Sequence, residues 1–238
     1  MDRDLPEAAL ILAGGLGTRL KPLTDKIPKP LIKICGKPTI AHIIDEIERN
    51  GIKKIYISVG YKAGMIEDYL IDYDTSTSIK FICENSILGT GGAMKFALKR
   101  IPYKDIFMTY GDDLFKLNIM RMYTLHKSYN GKITMYVKRA INNNELSSSG
   151  VVGLNKNRVI GFVEKPEPAE APSRFINVGK YIISRDISMY FPKRSKFSFE
   201  QDFLQKVIKK IRVYVYRESS VWYPTDTPER LAIARSKW

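Results

Sequence analysis

The chain has 238 residues, 44% hydrophobic and 27% charged, a balance that belongs to a folded globular protein and excludes a disordered one. No apolar run approaches the ~20 residues of a membrane helix. The acidic start Met1-Asp2-Arg3-Asp4 has no apolar signal core, so a cytoplasmic protein is expected, and two cysteines exclude a disulfide framework. The net charge of +14 is uneven: residues 1–119 hold 17 Lys and Arg against 15 Asp and Glu, and residues 120–238 hold 22 against 10. A basic half points to anionic partners such as phosphorylated metabolites or nucleic acid.

Ala8–Ala13 is a continuous apolar run before a glycine cluster, as in a buried parallel strand. Over residues 39–50, Ile40, Ile43, Ile44 and Ile47 follow helical spacing, and Gly51 stands where a helix end favours glycine. Strands are predicted over 52–60, 79–83 and 106–110, and helices over 63–71, 91–100 and 117–128. This alternation predicts an α/β fold with a Rossmann-like, mainly parallel sheet and helices on both faces.

The second half changes character. Strands over 132–139, 151–154, 159–164 and 176–183 are of the kind that pair antiparallel, which predicts a small antiparallel subdomain. Residues 142–149 read as loop, 199–210 as helix, 213–217 as strand, and 227–237 as a closing helix with Pro228 in its first turn. Cys35 and Cys83 lie in apolar, strand-like runs and are expected to be buried thiols. His42 and His126 fall in no motif and are expected to be structural or surface residues. No repeat or long linker divides the chain, so a single domain over 1–238 is expected.

The loop Ala13-Gly14-Gly15-Leu16-Gly17-Thr18-Arg19-Leu20 follows the first strand, and its glycines let backbone amides approach an anion. It is not a dinucleotide fingerprint, because Leu20 stands where Gly or Ala is needed, and no Walker A pattern exists. Pro22, Pro28, Pro30 and Pro38 prevent a long helix from starting there. Phosphate charge would then be met by loop amides and by Arg19, Lys26 and Lys29, the last held between two prolines. Thr90, in Leu88–Ala93, is a candidate N-cap. Asp112 lies at the carboxyl end of a strand, a suitable place for a Mg²⁺ ligand. Asp226 precedes Pro228 and reads on its own as a helix cap.

Leu12–Leu20, Pro28-Lys29-Pro30-Leu31 and Gly36-Lys37-Pro38 together resemble the opening of the sugar-1-phosphate nucleotidyltransferases, and the similarity continues in order over nearly the whole chain. The resemblance implies transfer of a nucleotidyl group from a nucleoside triphosphate to a sugar 1-phosphate, with Mg²⁺ as cofactor. It implies Arg19, Lys29 and Lys165 as catalytic cations. Leu12, Ala13, Gly14, Gly15, Gly17, Thr18, Leu88, Gly89, Thr90, Gly91 and Gly111 would bind the nucleotide. Glu164, Asn177 and Gly179 would bind the sugar, with Gly179 giving the ring space. Asp112 and Asp226 would hold the metal, with Asp113 behind them or capping a helix. Residues 1–130 would then be the nucleotide-binding part and 131–238 the sugar-phosphate-binding part.

Leu88–Ala93 and Phe197–Phe203 are similar to guanylyltransferases acting on mannose- or heptose-type phosphates, which is the first expectation. Thr109–Asp112 and Pro224–Thr227 resemble the glucose-1-phosphate cytidylyltransferase branch, and uridylyl or thymidylyl transfer stays open. A non-catalytic, sugar-nucleotide-sensing paralogue is the alternative of another class. Nucleic acid is not expected as a partner, because no recognised motif accompanies the basic half; homo-oligomerisation is left open. The sequence departs from the family in two places. Thr227 replaces the usual Gly after the second aspartate, and Asn142–Ser149 replaces a shorter turn. The end at Trp238 leaves no room for the β-helix domain of some relatives, so no acyltransferase activity is expected.

Overall fold

The computed structural model describes residues 5–238; Met1–Asp4, read above as an acidic start without a signal core, lie outside the described residues. The first half builds β1 (Ala8–Leu12), α1 (Leu23–Lys26), β2 (Lys33–Ile34), β3 (Lys37–Pro38), α2 (Thr39–Arg49), β4 (Lys54–Val59), α3 (Ala63–Ile71), β5 (Ser78–Cys83), α4 (Gly89–Leu98), β6 (Asp105–Tyr110), β7 (Asp113–Phe115) and α5 (Ile119–Ser128). The second half adds β8 (Ile133–Arg139), α6 (Asn143–Ser148), β9 (Gly150–Asn155), β10 (Arg158–Glu164), β11 (Phe175–Ser184), α7 (Gln205–Val207), β12 (Val213–Arg217), β13 (Trp222–Pro224) and α8 (Pro228–Lys237).

Nine strands form one sheet in the order β5-β4-β1-β6-β11-β8-β12-β10-β9. The first four run parallel. Strand β11 then reverses direction and pairs antiparallel with both β6 and β8. Alternation along β1 divides the core. Ala8, Leu10 and Leu12 pack toward α4 and Phe199–Ile208 on one face, whereas Ala9 and Ile11 meet α2, α3 and α5 on the other. The helices thus cover both faces, as the βα alternation predicts.

Four local expectations are corrected. Residues 142–149 contain α6: the Asn142 side chain accepts the Glu145 amide, Glu145 returns a bond to the Ile141 amide, and Leu146 is buried. Over 199–210 a π-type turn, Phe199–Leu204, precedes the three-residue α7. Thr90 lies inside α4 and does not cap it; its hydroxyl accepts the Phe199 amide. Both cysteines are exposed. Cys35 sits with positive φ in the turn between β2 and β3, and Cys83 ends the edge strand β5 with its thiol donating to Glu67. Their apolar neighbours reflect the strands, not the burial of the thiols.

Candidate active site

The glycine loop leaves β1 at its carboxyl end, where the Ala13 amide is held by the Ser58 carbonyl. Gly17 takes a left-handed φ of 65°, and a Cβ there would meet Thr24 at 2.8 Å. Thr24 donates its hydroxyl to the Gly17 carbonyl at 2.9 Å and fixes the turn. As the prolines require, only short helical turns follow. Lys29 is buried between Pro28 and Pro30, and its ammonium is ion-paired to Asp112.

The two distant aspartates meet through a small ladder that the sequence did not reveal. Strands β7 and β13 pair antiparallel, with Pro224 opposite Asp113. Asp112 and Asp226 lie just beyond the same end of the ladder, past the Asp113–Pro224 pair. Asp226 binds Arg19 at 2.7 Å and Arg230 at 3.0 Å. The cap of α8 is Thr227, which accepts the Arg230 amide, so Asp226 is not engaged as a cap. Asp113 caps no helix; it is buried behind Asp112, 2.8 Å from the Lys180 ammonium and 3.2 Å from the Trp222 indole nitrogen.

Two adjoining cavities open on this pair. The first, about 300 Å³, is walled by Leu12, Ala13, Gly14, Gly15, Gly17 and Thr18, by Leu88, Gly89 and Thr90 across from them, and by Gly111. Gly91 stands outside this lining: a Cβ on it would strike the Phe197 ring at 2.3 Å, so its small size serves packing. Lys26 is not in the lining either. The second cavity, about 290 Å³, is walled by Glu164, Lys165, Asn177, Gly179, Glu200 and Arg230. Arg19, Thr90, Tyr110, Asp112 and Asp226 face both. Gly179 has φ of +73°, and its missing Cβ leaves room for the Tyr110 ring.

The sequence profile of the nucleotidyl transferase family matches residues 8–237. The chain belongs to this family. It is 34% identical over 221 residues to D-glycero-alpha-D-manno-heptose 1-phosphate guanylyltransferase of Aneurinibacillus thermoaerophilus, covering 93% of this chain and 94% of that one. It is 35% identical to the enzyme of the same name from Campylobacter jejuni, covering 86% and 87%. The crystal structure of HddC from Yersinia pseudotuberculosis with GMP-PN superposes with a TM-score of 0.82 at 32% identity, over 97% of this chain and 99% of that one. A UDP-glucose pyrophosphorylase at 22% identity shares the fold, with a TM-score of 0.85. The family's chemistry, nucleotidyl transfer to a sugar 1-phosphate, is therefore the activity of this chain.

The charges in this nucleotidyl transferase site are arranged in layers. Burial works against the Asp226 carboxylate, but the Arg230 hydrogen bonds and the Arg19 and Lys29 charges outweigh it and hold its pKa below the usual range. Burial, aided by the Glu200 charge, pushes the Glu164 carboxyl up to about 7 despite Lys165. Burial likewise raises Glu84, which lies under the glycine loop and accepts the Ser58 hydroxyl at 2.8 Å. Glu200, presented by the π-type turn, accepts hydroxyls from Tyr110 and, at 3.2 Å each, from Thr90 and Tyr181.

Glu84, Glu200, Lys180 and Arg230 were missed by sequence reasoning: the first three act through partners distant in the chain, and Arg230 pairs with Asp226 four residues before it, a spacing that could have been read. The histidines stay outside both cavities: His126 bonds Thr134 and Ser184, and His42 bonds the Ile34 carbonyl. Among the described residues no cluster of three or more His, Cys, Asp or Glu side chains could hold a metal, and no helix is long and apolar enough to cross a membrane.

Proposed function

We propose that this chain transfers a guanylyl group from GTP to a heptose- or mannose-type 1-phosphate, releasing pyrophosphate, and that it does so with Mg²⁺ in the cytoplasm. The observation that carries this reading is the seam where two cavities share Arg19, Asp112 and Asp226. The glycine-lined cavity, in the 1–130 part, takes the nucleotide. The cavity with Glu164, Lys165, Asn177 and Gly179, in the 131–238 part, takes the sugar phosphate. The base and the sugar are chosen because the relatives at 34–35% identity bear heptose 1-phosphate guanylyltransferase names and HddC was solved with a guanine nucleotide analogue.

The donor set suits a hard cation. Two carboxylates at the seam, Asp112 and Asp226, match an ion that completes its shell with phosphate oxygens and water. Asp112 and Asp226 would hold Mg²⁺, which when bound neutralises triphosphate charge. The remaining work falls to the chain. Loop amides and Arg19 orient the triphosphate, Lys29 stands beside the reacting phosphate, and Lys165 meets the sugar phosphate. The sugar phosphate oxygen attacks the α-phosphorus in line and pyrophosphate leaves. An anionic nucleophile needs no strong general base, in keeping with the remote histidines. A pyrophosphate-release screen of five nucleoside triphosphates against a panel of sugar 1-phosphates with Mg²⁺ tests the reading. GTP with a heptose or mannose phosphate should give the highest kcat/KM, and a different best pair would overturn the assignment of base or sugar.

A further inference from the structure

Helices α6 and α8 meet at one side chain, Arg230. Thr227 caps α8, which begins the helix so that Arg230 lies in its first turn. From there the guanidinium reaches back to both Asp226 oxygens at 3.0 and 3.2 Å, and its other terminal nitrogen donates to the Ser148 hydroxyl at 2.7 Å. Ser148 ends α6. The next residue, Ser149, accepts the Lys165 amide through its carbonyl at 3.0 Å, beside a left-handed Lys165 backbone. The end of α6 therefore anchors two cations, one by its side chain and one by its backbone.

The charge balance of the second cavity gives this a purpose. Its lining holds five carboxylates, Asp112 and Asp113, which are ion-paired with Lys29 and Lys180 from behind, and Glu164, Glu200 and Asp226, against three cations, Arg19, Lys165 and Arg230. An incoming sugar phosphate dianion is repelled by the first group and must find partners in the second. Arg19 also faces the nucleotide cavity, where the proposed function assigns it to the triphosphate. That leaves Lys165 and Arg230. A guanidinium carries five N–H donors in a flat fork, so the bonds to Asp226 and Ser148 leave donors free for phosphate oxygens.

We infer that Arg230 is a second phosphate-binding residue for the sugar 1-phosphate, oriented by Ser148 at the end of α6. The assignment rests on the reading of this cavity as the sugar-phosphate site. The competing role is a clip that merely holds Asp226.

Steady-state kinetics of the full chain separate the two, together with calorimetric binding of mannose 1-phosphate in the absence of nucleotide and metal. Arg230→Ala should raise KM for the sugar phosphate at least ~tenfold and weaken metal-free binding by a similar factor. KM for the nucleotide should change less than about threefold. Ser148→Ala should move the same two quantities in the same direction by less. Arg230→Lys keeps the charge but loses the fork, so it should fall between wild type and Arg230→Ala, and it carries the test if Arg230→Ala does not fold. Unchanged sugar-phosphate KM and binding, with a raised Mg²⁺ requirement or nucleotide KM, would overturn the assignment in favour of the clip. A wild-type chain that turns over no pair of substrates would instead refute the functional reading itself.

Discussion

Thr225 donates its hydroxyl to the backbone carbonyl of Asp112 at 2.5 Å, across 113 residues of sequence. With the β7–β13 ladder beside it, this bond fixes the spacing of Asp112 and Asp226. Thr225 is fully buried. Replacing it by Val keeps the shape but leaves the carbonyl without a donor, which should cost about 1–3 kcal/mol of stability. Turnover should fall further than stability alone explains, because both carboxylates shift. The urea midpoint and pyrophosphate release measured on one preparation check this; unchanged turnover would mean the bond does not set the site.

Lys29 and Asp112 neutralise each other at the seam. Lys29→Ala and Asp112→Asn should each lower kcat by about 10²–10³, by analogy with other preorganised charge sites. The double variant should lose far less than the product of the two, because the residues act as a unit. Pyrophosphate release gives the rates, and near-wild-type turnover in either single variant would remove the pair from the mechanism.

Lys180 is fully buried, 2.8 Å from the Asp113 carboxylate. Lys180→Met leaves the buried Asp113 carboxyl without its counter-charge and with the Trp222 indole as its donor, and burial already pushes Asp113 up. Removing one partner of such a pair costs about 3–5 kcal/mol. Chemical denaturation should report a loss in that range. Asp113→Asn should also destabilise, by stranding the ammonium. A loss under about 1 kcal/mol in both variants would show that water reaches the pair.

Glu164 gives a pH signature. Its proton is released near 4.5 in an unfolded chain but only at about 7 in the folded one. The folded state binds that proton more tightly, so the contribution to stability is complete below about 4.5 and is lost as pH rises to about 7. Glu164→Gln should flatten the fall in Tm between these values. Parallel Tm profiles for wild type and variant would mean that Glu164 titrates normally.

The legible parts of the sequence were those encoded by local period and by turn chemistry. Ile40, Ile43, Ile44 and Ile47 gave α2 because burial on one helix face repeats every three to four residues. The apolar run at β1 and the prolines after the glycine loop were equally direct. Asp226 was different, since its own surroundings suggested a cap and only the family resemblance pointed to the seam. Helix α6 escaped because Asn and Ser favour loops, although Asn142 and Glu145 spell its capping bonds. Glu200, Glu84 and the Ser148 contact of Arg230 could not be read locally: Tyr110 lies 90 residues from Glu200, Ser58 lies 26 from Glu84, and Ser148 lies 82 from Arg230. Such contacts follow from strand order, which no short window of sequence contains.

Strand β11 runs between the edges of β6 and β8, with Lys180 opposite Thr109 and Asn177 opposite Val137. The two adjoining cavities are therefore cut into one hydrogen-bonded plank, and backbone pairing sets the gap between them. A slip of one residue along β6 would trade Gly179 for Lys180. The Tyr110 ring would lose its slot and an ammonium would swing out of the interior in the same step. Alignment of this single strand guards both the geometry and the charge of the pocket.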